Sequence, residues 1–176
     1  KGKIKVCILS IWFEILSNSK SILIISQYFW PENFKINDLA SHFSKKNYKI
    51  DVLTGIPNYP TGSFFKGYGL FQKLSERKNG IKINRVPIIP RRNASILYLG
   101  LNYISFVISS SIKVLLIKKK YDIIFIYEPS PVTVAIPGII LKKIKKIPII
   151  FWVTDLWPES VVSASSLKSS LIPNLL

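Results

Sequence analysis

Eight loop residues carry the chemistry this chain could do: Glu32, Asn33, Asn58, Tyr59, Glu128, Asp155, Trp157 and Glu159. They fall in four strings, YFWPENF, GIPNYPTG, EPSP and DLWPES. Carboxylates and amides can hold hydroxyl groups in pairs, and an indole or phenol ring can cover the apolar face of a pyranose. That combination is what a carbohydrate site needs. Each residue also has a plainer use. Asp155 could cap a helix beginning near Pro158, and Asn58 could close an Asx turn. No single residue decides between the two readings; a common location for all four strings would favour the carbohydrate.

Other chemistries are disfavoured. The first of the four loops has no glycine and no G-x-G-x-x-G pattern, so its crowded backbone would keep a dinucleotide pyrophosphate away. No Walker A string occurs. The single histidine, His42, lies in a helical stretch beside Lys45 and Lys46 and reads as a helix surface residue. No Cys/His grouping suggests a metal, and the single cysteine, Cys7, reads as a small buried apolar side chain in a chain without a disulfide framework.

The elements that must position these loops alternate regularly. SILIISQ, YKIDVLTG, GIKINRVPII, YDIIFIYEP and IPIIFWVTD are short apolar runs suited to strands buried on both faces. Between them lie INDLASHFSKKN, with Ile36, Leu39, Ala40 and Phe43 at helical spacing, a long run from Asn93 to Lys120, and VTVAIPGIILKKIKK, where Pro137 and Gly138 predict a kink. Strands alternating with helices at crossover length predict an α/β fold with a doubly wound parallel sheet, Rossmann-like. In such sheets ligands bind beyond the carboxyl ends of the strands, and the four strings follow strands. They should gather at one rim.

The chain has 176 residues, 48% of them hydrophobic, and a net charge of +16 from 25 basic and 9 acidic residues. AT-rich coding bias, an anionic membrane surface and nucleic acid would each account for that charge. Nucleic acid is the least favoured, because the basic residues are mostly Lys, with Arg only at 77, 85, 91 and 92, and no nucleic-acid-binding module occurs. From Asn93 to Ile112 there is no charged side chain, with Arg91 and Arg92 before and Lys113 and Lys118 to Lys120 after. Three readings stay open for this helix: a membrane span, a core helix on the sheet, or a helix with one face on the sheet and the other on a bilayer. Tyr98, Tyr103 and Phe106 are its candidate membrane contacts, with Arg91 and Arg92. Residues 1–20 read as an extension ahead of the domain at 21–176; Glu14 interrupts their apolar run, and no signal-peptide cleavage pattern follows. No methionine occurs, even at position 1, which fits a partial or processed reading frame.

ILIISQYFWPENFKINDLA, VLTGIPNYPTGSFFKGYG, EPSPVTVAIPG and VTDLWPES, in that order, resemble the N-terminal domain of family-4-type GT-B glycosyltransferases. The branch is that of bacterial surface-polysaccharide assembly (O-antigen and capsule), which includes N-acetylfucosamine transferases. The likeness runs from Ser21 to about Leu167. It implies the N-terminal, acceptor-binding half of a GT-B fold, with the C-terminal half, which binds the nucleotide-sugar donor, absent from these residues. It implies a retaining transfer without a required metal, and a glycan acceptor carried on a polyprenyl diphosphate at the cytoplasmic face of the inner membrane. By the same resemblance Asp155 orients or polarises the acceptor hydroxyl at the cleft. Glu32, Asn33, Asn58, Tyr59, Glu128, Ser130, Trp157 and Glu159 surround the acceptor. Many relatives carry glycines in the first loop; here Asn33 and its backbone would serve instead. A non-catalytic, membrane-recruiting subunit of a split transferase and a peripheral membrane-binding protein are the alternatives.

Overall fold

A computed structural model of the chain describes residues 21–129 and 131–154. The extension at 1–20 with Cys7, Ser130, and the segment holding Asp155, Trp157, Glu159 and the helix expected near Pro158 lie outside the described residues.

The elements run β1 (Ser21–Ile25), α1 (Lys35–Lys45), β2 (Lys49–Gly55), β3 (Ser75–Lys78), β4 (Ile81–Val86), α2 (Ile96–Leu115), β5 (Ile123–Glu128), a 3-10 turn (Val132–Ala135), α3 (Ile136–Lys145) and β6 (Ile149–Val153). They build a six-stranded sheet in the order β3-β4-β2-β1-β5-β6. Every neighbouring pair is parallel except β3 with β4. The expected doubly wound, Rossmann-like α/β architecture is what forms.

Alternation along the central strands sorts side chains to the two faces. Leu23, Ile25, Leu53, Ile124 and Ile126 pack with Phe106 and Val114 of α2 and Leu141 of α3. Ile22, Ile24, Val52, Ile83 and Phe125 pack with Ile36 and Ala40 of α1. Burying each such aliphatic side chain contributes about 1.5–3 kcal/mol. Gly138 is where α3 comes down on β5, since a Cβ there would stand 2.6 Å from Ile126 Cδ1.

Three details differ from the sequence reading. Strand β3 is additional: SERK shows no apolar alternation, and it pairs antiparallel with β4 across the Asn79-Gly80 turn, with Gly80 at φ +79°. Its edge position explains its polarity, because an edge strand need bury little. Pro137 does not kink a helix. It sits in the first turn of α3, where its missing N–H has no partner to lose.

The third detail concerns α2. By length and composition alone it could cross a membrane, at mean hydropathy 1.3. Its sheet-facing stripe is nonetheless Asn102, Phe106, Ser110 and Val114. Asn102 accepts from Gln27 Nε2 at 2.7 Å and donates to the Ile89 carbonyl at 2.6 Å. The Ser110 hydroxyl donates to the Phe106 carbonyl at 2.5 Å. The opposite stripe of Leu97, Ile104, Ile108, Ile112 and Leu115 is exposed. The helix therefore meets the sheet through a mixed seam, Phe106 and Val114 with Asn102 and Ser110, and leaves an apolar stripe on its outer side.

Candidate functional site

Strands β2, β1 and β5 are parallel neighbours, so the loops that follow them leave the same edge of the sheet. Asn33, Asn58, Tyr59 and Glu128, on those loops or at the strand end, are thereby brought to one side of the molecule. Strand β6 runs parallel to β5, and Thr154 donates to the Glu128 carbonyl through its N–H at 3.0 Å and its hydroxyl at 2.6 Å. Asp155, Trp157, Glu159 and Ser130 lie outside the described residues.

The first and second loops are joined by one carboxylate. Glu32 Oε1 accepts from the main-chain N–H groups of Asn58 at 2.8 Å and Tyr59 at 2.7 Å, and Oε2 from that of Phe29 at 3.3 Å. The side chain is buried, and loss of water pushes its pKa up from 4.5 to about 7, against the pull of those N–H groups and of Arg85. Asn58 is equally committed. Its amide donates to the Ile56 carbonyl at 3.1 Å, and its Oδ1 accepts from the Arg91 N–H at 3.0 Å. Glu32 and Asn58, expected around the acceptor, have their polar atoms on main chain. Glu128, which ends β5, is also fully buried.

The glycines of GIPNYPTG have steric reasons. A Cβ on Gly55 would meet Ile88 Cδ1 at 2.9 Å and the Gln27 carbonyl at 3.1 Å. Gly62 has φ +80°, and a Cβ there would overlap the Arg92 carbonyl oxygen at 1.7 Å. The Arg92 N–H donates to the Gly62 carbonyl at 2.7 Å, so the loop after β2 is laced to the segment after β4.

Around this clamp the rim is mainly aromatic and cationic. Tyr28 and Phe34 stack at 5.0 Å, and Tyr59 lies 5.8 Å and 5.3 Å from them. Burial raises the Tyr28 phenol well above its ordinary range, with the Arg91 charge opposing, so it stays protonated. The Arg91 guanidinium lies 5.0 Å from the Tyr59 ring and 5.9 Å from that of Tyr28. Tyr59 and Trp30 are each 38% exposed. Trp30 carries Lys78 Nζ 3.3 Å from its ring centroid and, with Asn33, Asp38, Ser41 and Asn79, lines a cavity of about 230 Å³ beside α1. Asn33 is exposed there. Trp30 and Lys78 were missed at the sequence level; the indole was legible in YFWPENF, but Lys78 lies on a strand with no periodic signal.

The candidate membrane contacts also separate. Phe106 is corrected outright: it is fully buried in the core between α2 and the sheet. Tyr98 and Tyr103 are half-buried. Arg92 is exposed and rests on Tyr98, its guanidinium 4.7 Å from the ring and hydrogen-bonded to the phenol oxygen. The residues that do face outward on α2 are the aliphatic ones named above. Their spacing of three to four residues was the signal that would have found them.

No family model matches the chain. No curated protein matches it either. Among solved structures it is similar to the C-terminal domain of a hydrogenase from Pyrococcus furiosus, at 19% identity over 75% of this chain and 90% of that one, with a TM-score of 0.48. A likeness of that size carries no functional argument.

Proposed function

We propose that this is the acceptor-binding domain of a retaining glycosyltransferase of bacterial cell-surface polysaccharide assembly. It works at the cytoplasmic face of the inner membrane on a polyprenyl-diphosphate-linked glycan, and a second, C-terminal domain binds the nucleotide-sugar donor. The observation that carries the reading is the Glu32 clamp. Two of the strings on which the resemblance rests, YFWPENF and GIPNYPTG, are hydrogen-bonded into one unit at the carboxyl edge of the sheet. That edge is where a doubly wound fold takes its ligand. Exposed Trp30, Asn33 and Tyr59 supply rings and an amide for a sugar.

The test is a titration of the chain in neutral nanodiscs with polyprenyl-diphosphate-linked saccharides, against the same lipid without its glycan. Affinity at least tenfold higher for the glycosylated lipid is expected; equal affinity removes the carbohydrate. A second reading, a peripheral membrane protein without a sugar role, is favoured by the exposed apolar stripe of α2. It predicts binding to anionic vesicles that the glycan does not change. In the two-domain enzyme, Asp155→Asn is expected to lower turnover at least tenfold, about 1.4 kcal/mol of barrier. Unchanged turnover takes Asp155 out of the mechanism.

A further inference from the structure

The recess beside α1 is bordered by three segments that are tied to one another. Trp30 stands on the loop after β1. Its N–H donates to Asn37 Oδ1 of α1 at 3.1 Å, and its carbonyl accepts from Arg85 Nη2 of β4 at 2.7 Å. Lys78 and Asn79 stand at the turn of the β3–β4 hairpin, where Asn79 has φ +50° and Gly80 φ +79°. Ser44 Oγ of α1 donates to the Asn79 carbonyl at 2.9 Å, so the hairpin turn is held against the helix. The cavity is about 230 Å³, below the roughly 300–1,000 Å³ that drug-sized ligands take, and suits a small molecule.

Its lining sorts by polarity. Phe29, Ile81 and Ile83, all buried, make an apolar floor. Asp38 and Ser41 line it from α1, and Lys78 from the hairpin. Lys78 lies over the Trp30 indole, which orients the ammonium and leaves its charge in place. An acid in the first turn of a helix is ordinary, and so is a lysine on an indole. Their joint position is not. Two opposite charges line one recess, yet the ion pairs of the described residues are Arg85 with Glu76 and Lys119 with Asp51. Asp38 and Lys78 are thus paired neither with each other nor with another charged group among those residues. Opposite charges left unpaired over an apolar floor match a ligand that carries both charges and a hydrocarbon body.

We infer that this recess binds a free α-amino acid with an aliphatic side chain. Its ammonium faces Asp38, its carboxylate faces Lys78, and its side chain rests on Phe29, Ile81 and Ile83. The inference goes beyond the reading above, and the binding needs no sugar. Trp30 and Asn33 line the recess and also belong to the surface proposed for the glycan, so the two ligands should exclude each other. That coupling alone rests on the glycosyltransferase reading.

The probe is L-leucine, titrated into the full chain by calorimetry, with three fragments beside it. Glycine lacks the side chain, isopentylamine the carboxylate and 4-methylpentanoate the ammonium. Leucine should bind at least tenfold more tightly than each. Asp38→Asn and Lys78→Gln should each weaken leucine at least fivefold. The losses should be selective: Asp38→Asn should not weaken 4-methylpentanoate, and Lys78→Gln should not weaken isopentylamine. If Lys78→Gln melts early because the Trp30 indole loses its cation, exposed Asp38 decides. A fragment that binds as tightly as leucine, or unchanged leucine affinity in folded Asp38→Asn, overturns the site. So does the absence of leucine binding. Leucine binding that a polyprenyl-diphosphate-linked saccharide does not displace keeps this inference and takes Trp30 out of the glycan's contacts. Glycan binding by a chain that leucine does not occupy keeps the glycosyltransferase reading and ends this inference.

Discussion

Glu32 has a measurable signature. Its folded-state pKa, near 7, lies above its ordinary value of 4.5. Between those values the folded chain keeps a proton that the unfolded chain has lost. Stability from this group is therefore full below about pH 4.5 and falls as pH rises through 7, by at most about 3 kcal/mol. Urea unfolding at pH 4.5 and 7 should show that decline, and Glu32→Gln should flatten it; a variant with the parent's slope would mean that the group stays ionised throughout. The residue types of the first two loops were legible in the sequence, but their duties were not. A carboxylate that binds sugar and one that binds main chain look alike in a string, because what separates them is an N–H contributed 26 and 27 positions further on. Asn58 was weighed as an Asx-turn former, but residue 60 is a proline with no N–H to give; its Oδ1 accepts from the Arg91 N–H and its amide donates back to the Ile56 carbonyl.

At the scale of elements, strand alternation and helix spacing carried the fold because burial on both faces forces continuous apolar runs. Strand β3 escaped because pairing at an edge is made by backbone, which a sequence pattern does not record. Two substitutions test how elements are joined. Asn102→Leu keeps the size and adds apolarity to α2, yet it strands the Gln27 amide and the Ile89 carbonyl. A loss of about 2–3 kcal/mol in a denaturant titration is expected; a gain in stability would show that hydrophobicity alone seats this helix. Gly62→Ala must displace the Arg92 carbonyl and hold an unfavourable φ. It should cost at least about 2 kcal/mol and raise proteolysis in the loop after β2. Cleavage unchanged from the parent would mean that the two segments are not mechanically linked.

For the whole molecule, a net charge of +16 and an exposed apolar stripe on α2 act together. Vesicles with acidic headgroups should bind the chain, and Ile104→Glu with Ile108→Glu should reduce that binding at least tenfold while leaving the melting temperature unchanged. Retention of full binding by the double variant would place the contact elsewhere. The reading of a helix shared between sheet and bilayer was open from the sequence. Which residues would face outward was not legible, because the run is apolar all round and Asn102 and Ser110 take two of the inward positions beside Phe106 and Val114.

That outward stripe has a practical outcome. A helix whose oily flank points away from its own fold gives each molecule a sticky strip in plain buffer, with only mutual cationic repulsion to keep copies apart. Raising salt should then bring on turbidity, and a mild surfactant should clear it without altering the circular dichroism.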